Sequence, residues 1–160
     1  MSQELRESVL DDIHTMEFAR QAREEFVRGY AETYEHTLRE TFDLEQGTDE
    51  ELLAKTSAQL ERLEADCLRT SGWVTRDLEP GTAVADEPLV RLGYVMYVAQ
   101  SGDRTAPYGM VRHHRVPTES GIALIDTMRE AQGLLPVAEH RRLNMETYGN
   151  VRSRILGVEK

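Results

Sequence analysis

The sequence predicts an α+β fold that is mostly helical: an N-terminal helical hairpin, a β-hairpin and two C-terminal helices. Three observations carry that expectation. Residues 2–42 contain no proline and a single glycine, Gly29, with apolar side chains at three- and four-residue steps. Thr48-Asp49-Glu50-Glu51 is a capping box, and it opens a second periodic stretch that ends at Gly72. From there the period shortens to two, first in Leu89–Ala99 and again in Tyr108–Val116.

The first stretch places Leu5, Val9, Ile13 and Met16, then Ala19, Ala22, Phe26, Tyr30, Tyr34, Leu38 and Phe42, on a helical repeat. It reads as one long amphipathic helix or as two that meet near Thr15. Five of the ten aromatic residues of the chain lie here, more ring surface than one helix can bury against itself. Residues 1–47 are therefore expected to form an oligomerising unit, with Phe18, Phe26, Tyr30, Tyr34 and Leu38 at the interface. Gly47 stops this segment. The helix that follows carries Leu53, Thr56, Leu60, Leu63, Cys67 and Thr70 on a heptad-like seam. The two segments read as an antiparallel hairpin.

Residues 48–160 hold that second helix and everything after it. Trp73-Val74-Thr75-Arg76 is short and β-prone, and Glu79-Pro80-Gly81-Thr82 is a turn signal. In Leu89–Ala99, Leu92, Tyr94, Met96 and Val98 share one face while Val95, Tyr97 and Ala99 share the other, so cover is expected on both sides. Ser101–Pro107 makes a polar tip, Tyr108–Val116 returns, and Pro117 ends the strand. Thr118 or Ser120 caps a helix over 120–132, closed by Gly133, and Pro136 suits the first turn of a last helix that Gly149 weakens.

The 160 residues carry 19 basic and 29 acidic side chains, a net charge of −10. The excess is uneven: residues 1–103 hold 10 basic and 23 acidic groups, residues 104–160 hold 9 and 6. An acidic body repels nucleic acid, while the basic end can meet an anionic partner. No apolar run approaches the ~18 residues of a membrane span, so no membrane contact and a cytoplasmic location are expected. A lone Cys67 leaves no internal disulfide, and Glu64 and Asp66 beside it disfavour a thiolate nucleophile. Histidines 14, 36, 113, 114 and 140 are scattered, with no Glu-x-x-His pair, so no metal is expected. No nucleophile elbow, Walker loop or dinucleotide fingerprint occurs; neither catalysis nor a cofactor is expected.

The densest polar cluster is Arg112-His113-His114-Arg115 on the returning strand, with Arg104 in the tip and Arg76 on the preceding strand. Alternation sends Arg112 and His114 one way and His113 and Arg115 the other. Such a hairpin can lie along a phosphate backbone, or it can meet acidic helices of its own chain or of a neighbouring subunit.

The order of elements resembles that of winged helix-turn-helix transcriptional regulators over about residues 48–131. Asp49-Glu50-Glu51-Leu52-Leu53 looks like the opening of their first motif helix. Leu68–Arg76 looks like the recognition-helix end running into a wing strand, and Arg115–Ile125 like the family's exit into a helix. The resemblance implies a turn at Thr56-Ser57, a wing-like β-hairpin and flanking helices that dimerise. It also implies a regulator whose Arg76, Arg104, Arg112, His113, His114 and Arg115 contact duplex DNA. The competing expectation is a structural or assembly subunit, for example of a virion connector, completed by copies of itself or by other protein subunits without nucleic acid.

Overall fold

The computed structural model describes residues 2–70, 72–100 and 107–156 and, within them, not the side chains of 7–10, 107 and 147–156. Arg104 and the hairpin tip lie outside the described residues. Among the described residues the fold is mixed α+β and mostly helical, with six α-helices and one three-stranded antiparallel sheet.

Helix α1 (Gln3–Thr33) starts at Ser2, whose hydroxyl accepts from the Leu5 amide, and runs unbroken through Thr15. The break falls later, at Tyr34 (φ −111°, ψ 25°), before α2 (Glu35–Thr41). Its cause is the four-residue spacing. Each such step turns about 40° past a full turn, so a straight helix would carry Phe42 about 160° away from Phe26. The kink at Tyr34 swings Leu38 and Phe42 back into the core, where both are buried.

Arg39 then organises the connection to α3 (Asp49–Leu68). Its guanidinium donates to the Leu44 and Gly47 carbonyls at 3.0 and 2.7 Å, to Glu35 at 3.1 Å and to Asp49 at 2.7 Å. The Thr48 half of the capping box forms, its hydroxyl accepting from the Glu51 amide at 3.1 Å. α3 is the hub. Leu52, Thr56, Leu60, Leu63 and Cys67 line its buried face, so Leu52 rather than Leu53 opens the seam, and Thr70 lies beyond the helix, exposed. The polar member Thr56 is satisfied by donating to the Leu52 carbonyl at 2.7 Å. α3 passes through Thr56-Ser57 without interruption, so the turn implied by the winged-helix resemblance is not made there.

β1 (Thr75–Leu78) begins two residues later than the β-prone stretch. The segment read as one long strand from Leu89 instead divides into α4 (Pro88–Arg91) and β2 (Val95–Ala99). Pro88 suits a first helical turn, and Gly93 (φ 80°) closes it while its amide reaches the Val90 carbonyl at 3.0 Å. β3 (Val111–Pro117) lies between β1 and β2, in the order β1-β3-β2, pairing Tyr97 with Arg115, Met96 with Val116 and Asp77 with Arg112.

α5 (Glu119–Ala131) is capped by Thr118, which accepts from the Gly121 amide and donates to the Gly93 carbonyl at 2.6 Å. Gly121 is required here: a Cβ would sit 2.2 Å from the Tyr94 carbonyl oxygen. α6 (Val137–Leu156) starts with its first amide donating to Asp126 at 2.8 Å.

Candidate interaction site

Most of the sequence-predicted phosphate contacts are already engaged inside the chain. Arg115, on the central strand, points down onto α3, its side chain only 1% exposed. It donates to Asp66 at 2.9 Å and also to Glu87, while its cross-strand neighbour Tyr97 lies alongside with its ring centroid 5.9 Å away. Burial works against the Arg115 charge. The Tyr97 hydroxyl and the Asp66 and Glu87 carboxylates outweigh it and hold the pKa above the ordinary arginine value. Arg62 reaches Glu87 at 3.1 Å and Arg69 reaches Asp66 at 3.6 Å, so the buried carboxylates are shared with cations at the rim.

On the neighbouring strand positions, Arg112 forms a two-pronged pair with Asp77 at 2.9 and 3.1 Å, and Arg76 does the same with Asp86 at 3.0 and 2.9 Å. The hydrogen bond to Asp86 raises the Arg76 pKa and the same bond lowers that of Asp86. His113 Nδ1 sits 2.9 Å from the Val111 carbonyl, and His114 Nε2 sits 2.6 Å from Gln100 Oε1 with the Trp73 ring edge-on to it. Three of the six basic residues, Arg76, Arg112 and Arg115, are thus held in ion pairs, and of these Arg115 ties the sheet to α3 and to Glu87 at the start of α4.

A second polar clamp was missed by sequence reasoning. Glu64 of α3 accepts from Arg23 of α1 and from Arg129 of α5, both at 3.0 Å, and Arg129 also donates to the Leu135 carbonyl at 2.6 Å. Charge alternation on α3 is visible in sequence; its partners 41 and 65 residues away are not.

The residues expected at an oligomer interface divide in two. Leu38 and Tyr30 are consumed by the chain's own core, Tyr30 through a 2.7 Å hydroxyl contact with Tyr94, and Phe26 packs against the same core. Burial, then the Tyr94 bond, push the Tyr30 pKa upward. Tyr34 and Phe18 remain exposed. Phe18 is not alone: Leu5, Ile13 and Met16, 56, 46 and 71% exposed, lie along one side of the first half of α1, and Phe18, 61% exposed, lies about 160° round the helix from Met16. β2 behaves likewise. Val95 is buried, but Met96 and Val98 face solvent, so the strand is covered on one face, not on both as its apolar pattern predicts.

Cys67 is buried on the α3 seam, and burial followed by the Asp66 charge pushes its thiol up to about 12. Among the described residues no cluster of three or more His, Cys, Asp or Glu is arranged to hold a metal, and no helix is long and apolar enough to cross a membrane. No protein-family model, curated protein or solved structure matches the chain.

Proposed function

We propose that the chain is a non-catalytic assembly subunit, completed by copies of itself. The observation that carries this reading is the first half of α1. Over Ser2–Phe18 every described side chain is exposed, the large apolar ones included. Helices in proteins draw most of their stability from tertiary packing rather than propensity, and large exposed apolar groups, Leu5, Ile13 and Met16 along one side and Phe18 on the other, mark interaction surfaces. Copies packed on both sides of the helix, over Leu5, Ile13 and Met16 and over Phe18, supply both the support and the burial.

Light scattering tests this directly. The wild type is expected above one chain's mass, and Ile13→Asp with Phe18→Asp is expected to return it to one chain without unfolding the body. A wild type at one chain's mass across the accessible concentration range overturns the reading.

Duplex DNA is the competing partner. To reach a phosphate, Arg76 and Arg112 would have to leave Asp86 and Asp77, and Arg115 would have to leave its buried site. That cost supports the assembly reading over the regulatory one. Titration of a labelled duplex at low salt is expected to show no binding; salt-sensitive binding abolished by Arg76→Ala plus Arg112→Ala would favour the regulator.

A further inference from the structure

The sheet has two outer strands, and they differ. β1 carries charge along its length, with Arg76 paired to Asp86 and Asp77 paired to Arg112. Charged side chains of this kind keep an edge strand from pairing with another chain. β2, at the other edge, is Val95-Met96-Tyr97-Val98-Ala99, with no charge, proline or glycine. No charged residue lies between Arg91 and Asp103, the longest such stretch in the sequence.

The hydrogen bonds to β3 fix which groups of β2 face outward. The Gln100 amide donates to the Arg112 carbonyl at 2.8 Å, and the Thr118 amide donates to the Tyr94 carbonyl at 2.9 Å. Backbone groups alternate along an antiparallel strand, so residues 94, 96, 98 and 100 aim at β3 while Val95, Tyr97 and Ala99 aim away. Among the described residues, the outward amides and carbonyls of these three make no hydrogen bond. Met96, Val98 and Ala99 are exposed as well. A row of unpaired backbone groups takes one kind of partner, an extended strand.

We infer that β2 pairs antiparallel with β2 of a second copy about a two-fold axis through Tyr97, joining the two sheets into one. Three observations choose this occupant. The strand is its own complement about Tyr97: the axis places Met96 opposite Val98 and Val95 opposite Ala99, apolar against apolar. Each outward amide and carbonyl then meets its counterpart in the other copy. Two chains of net charge −10 repel, and they approach most readily where neither carries charge. The inference rests on the oligomeric reading above but uses a different surface from Leu5–Phe18. Contact about a two-fold axis closes at two chains, so growth beyond two falls to α1.

Paired cysteines in the full chain test the register. In this pairing Met96 of one copy faces Val98 of the other with Cα atoms about 4.5 Å apart, within disulfide reach. Two copies of Met96, or two of Val98, lie diagonally at about 7–8 Å, beyond it. A mixture of Met96→Cys and Val98→Cys chains, with diamide as oxidant, is expected to give a two-chain band on a non-reducing gel. Either variant alone is expected to give little, and buried Cys67 keeps the background low. Ala99→Pro removes one outward amide and leaves the bonds to β3 in place. By light scattering it is expected to weaken association about tenfold, since each copy loses a bond to the other, at an unchanged urea midpoint of the monomer. Single variants that crosslink as fast as the mixture, or wild-type association in Ala99→Pro, overturn the assignment. If Ile13→Asp plus Phe18→Asp dissociates the assembly while Ala99→Pro does not, the α1 surface stands and the β2 pairing falls. If the wild type is one chain throughout, both fall.

Discussion

The two halves of α1 share one continuous backbone and one apolar repeat, yet they end in opposite environments. In the second half Val27, Tyr30 and Ala31 are buried against α3 and α5, and Arg23 is clamped to Glu64. In the first half Leu5, Ile13 and Met16 follow the same spacing and face solvent, and Phe18, off that repeat, is exposed as well. An amphipathic pattern states that a face is to be buried. It does not state against which chain. The body answers with its own side chains, and the projecting half leaves the answer to a second molecule.

Predictions sharpen this contrast by perturbing matched features of body and projection. The largest effect belongs to Arg115→Ala. It leaves Asp66 and Glu87 only their rim partners Arg69 and Arg62; breaking a buried pair costs about 3–5 kcal/mol, and those partners place the loss toward the lower end. A urea melt of the monomer reads this as a lower midpoint. If the midpoint holds, Arg115 is not what joins sheet to α3.

Cys67 gives the next effect, in alkali. Its thiol is kept neutral in the folded state, with the pKa raised to about 12 by burial. The unfolded thiol ionises near pH 9, so stability falls as pH rises from there toward 12, by at most about 1.4 kcal/mol per pH unit. Cys67→Ala should remove that component of the slope, and native protein near pH 8 should resist alkylation. Rapid native alkylation would mean that the α3 seam opens.

Matched helix caps are a finer probe. Thr48→Ala should cost about 1 kcal/mol, because Thr48 caps the hub helix of the body. Ser2 makes the same contact with the Leu5 amide, but at the free end of the projection. Ser2→Ala should leave the urea midpoint of the monomer unchanged and weaken only the assembly. An equal loss at both caps would show that the first half of α1 belongs to the body's folding unit. Smaller still is Arg112→Ala, whose pair with Asp77 is partly exposed and worth under about 1 kcal/mol.

Much of the fold was legible because its signals are local. The Thr48 capping box, the α5 cap at Thr118, Pro136 before the last helix and the period-two return strand are each written within a few residues. The kink at Tyr34 was not, although the drift of the four-residue steps contains it once a core is there to be met. Division of Leu89–Ala99 into α4 and β2 turned on Pro88 and Gly93, whose meaning depends on which chain reversal they serve.

The interaction surfaces were the least legible part. Arg115 and Asp66 are 49 residues apart, and Arg112 and Asp77 are 35 apart, so a basic strand looked available for phosphate until its carboxylates were in place. Met16 and Leu38 belong to the same apolar repeat, yet one is exposed and the other is buried by its own chain.

Amide hydrogen exchange along α1, followed as the protein is diluted, tests the central claim most directly. Residues 24–33 should stay protected at every concentration, since the body holds them. Protection over residues 3–18 should appear only where the solution mass exceeds one chain and vanish on dilution. Protection of residues 3–18 that persists in the isolated monomer, or an assembly in which they exchange freely, would contradict the account.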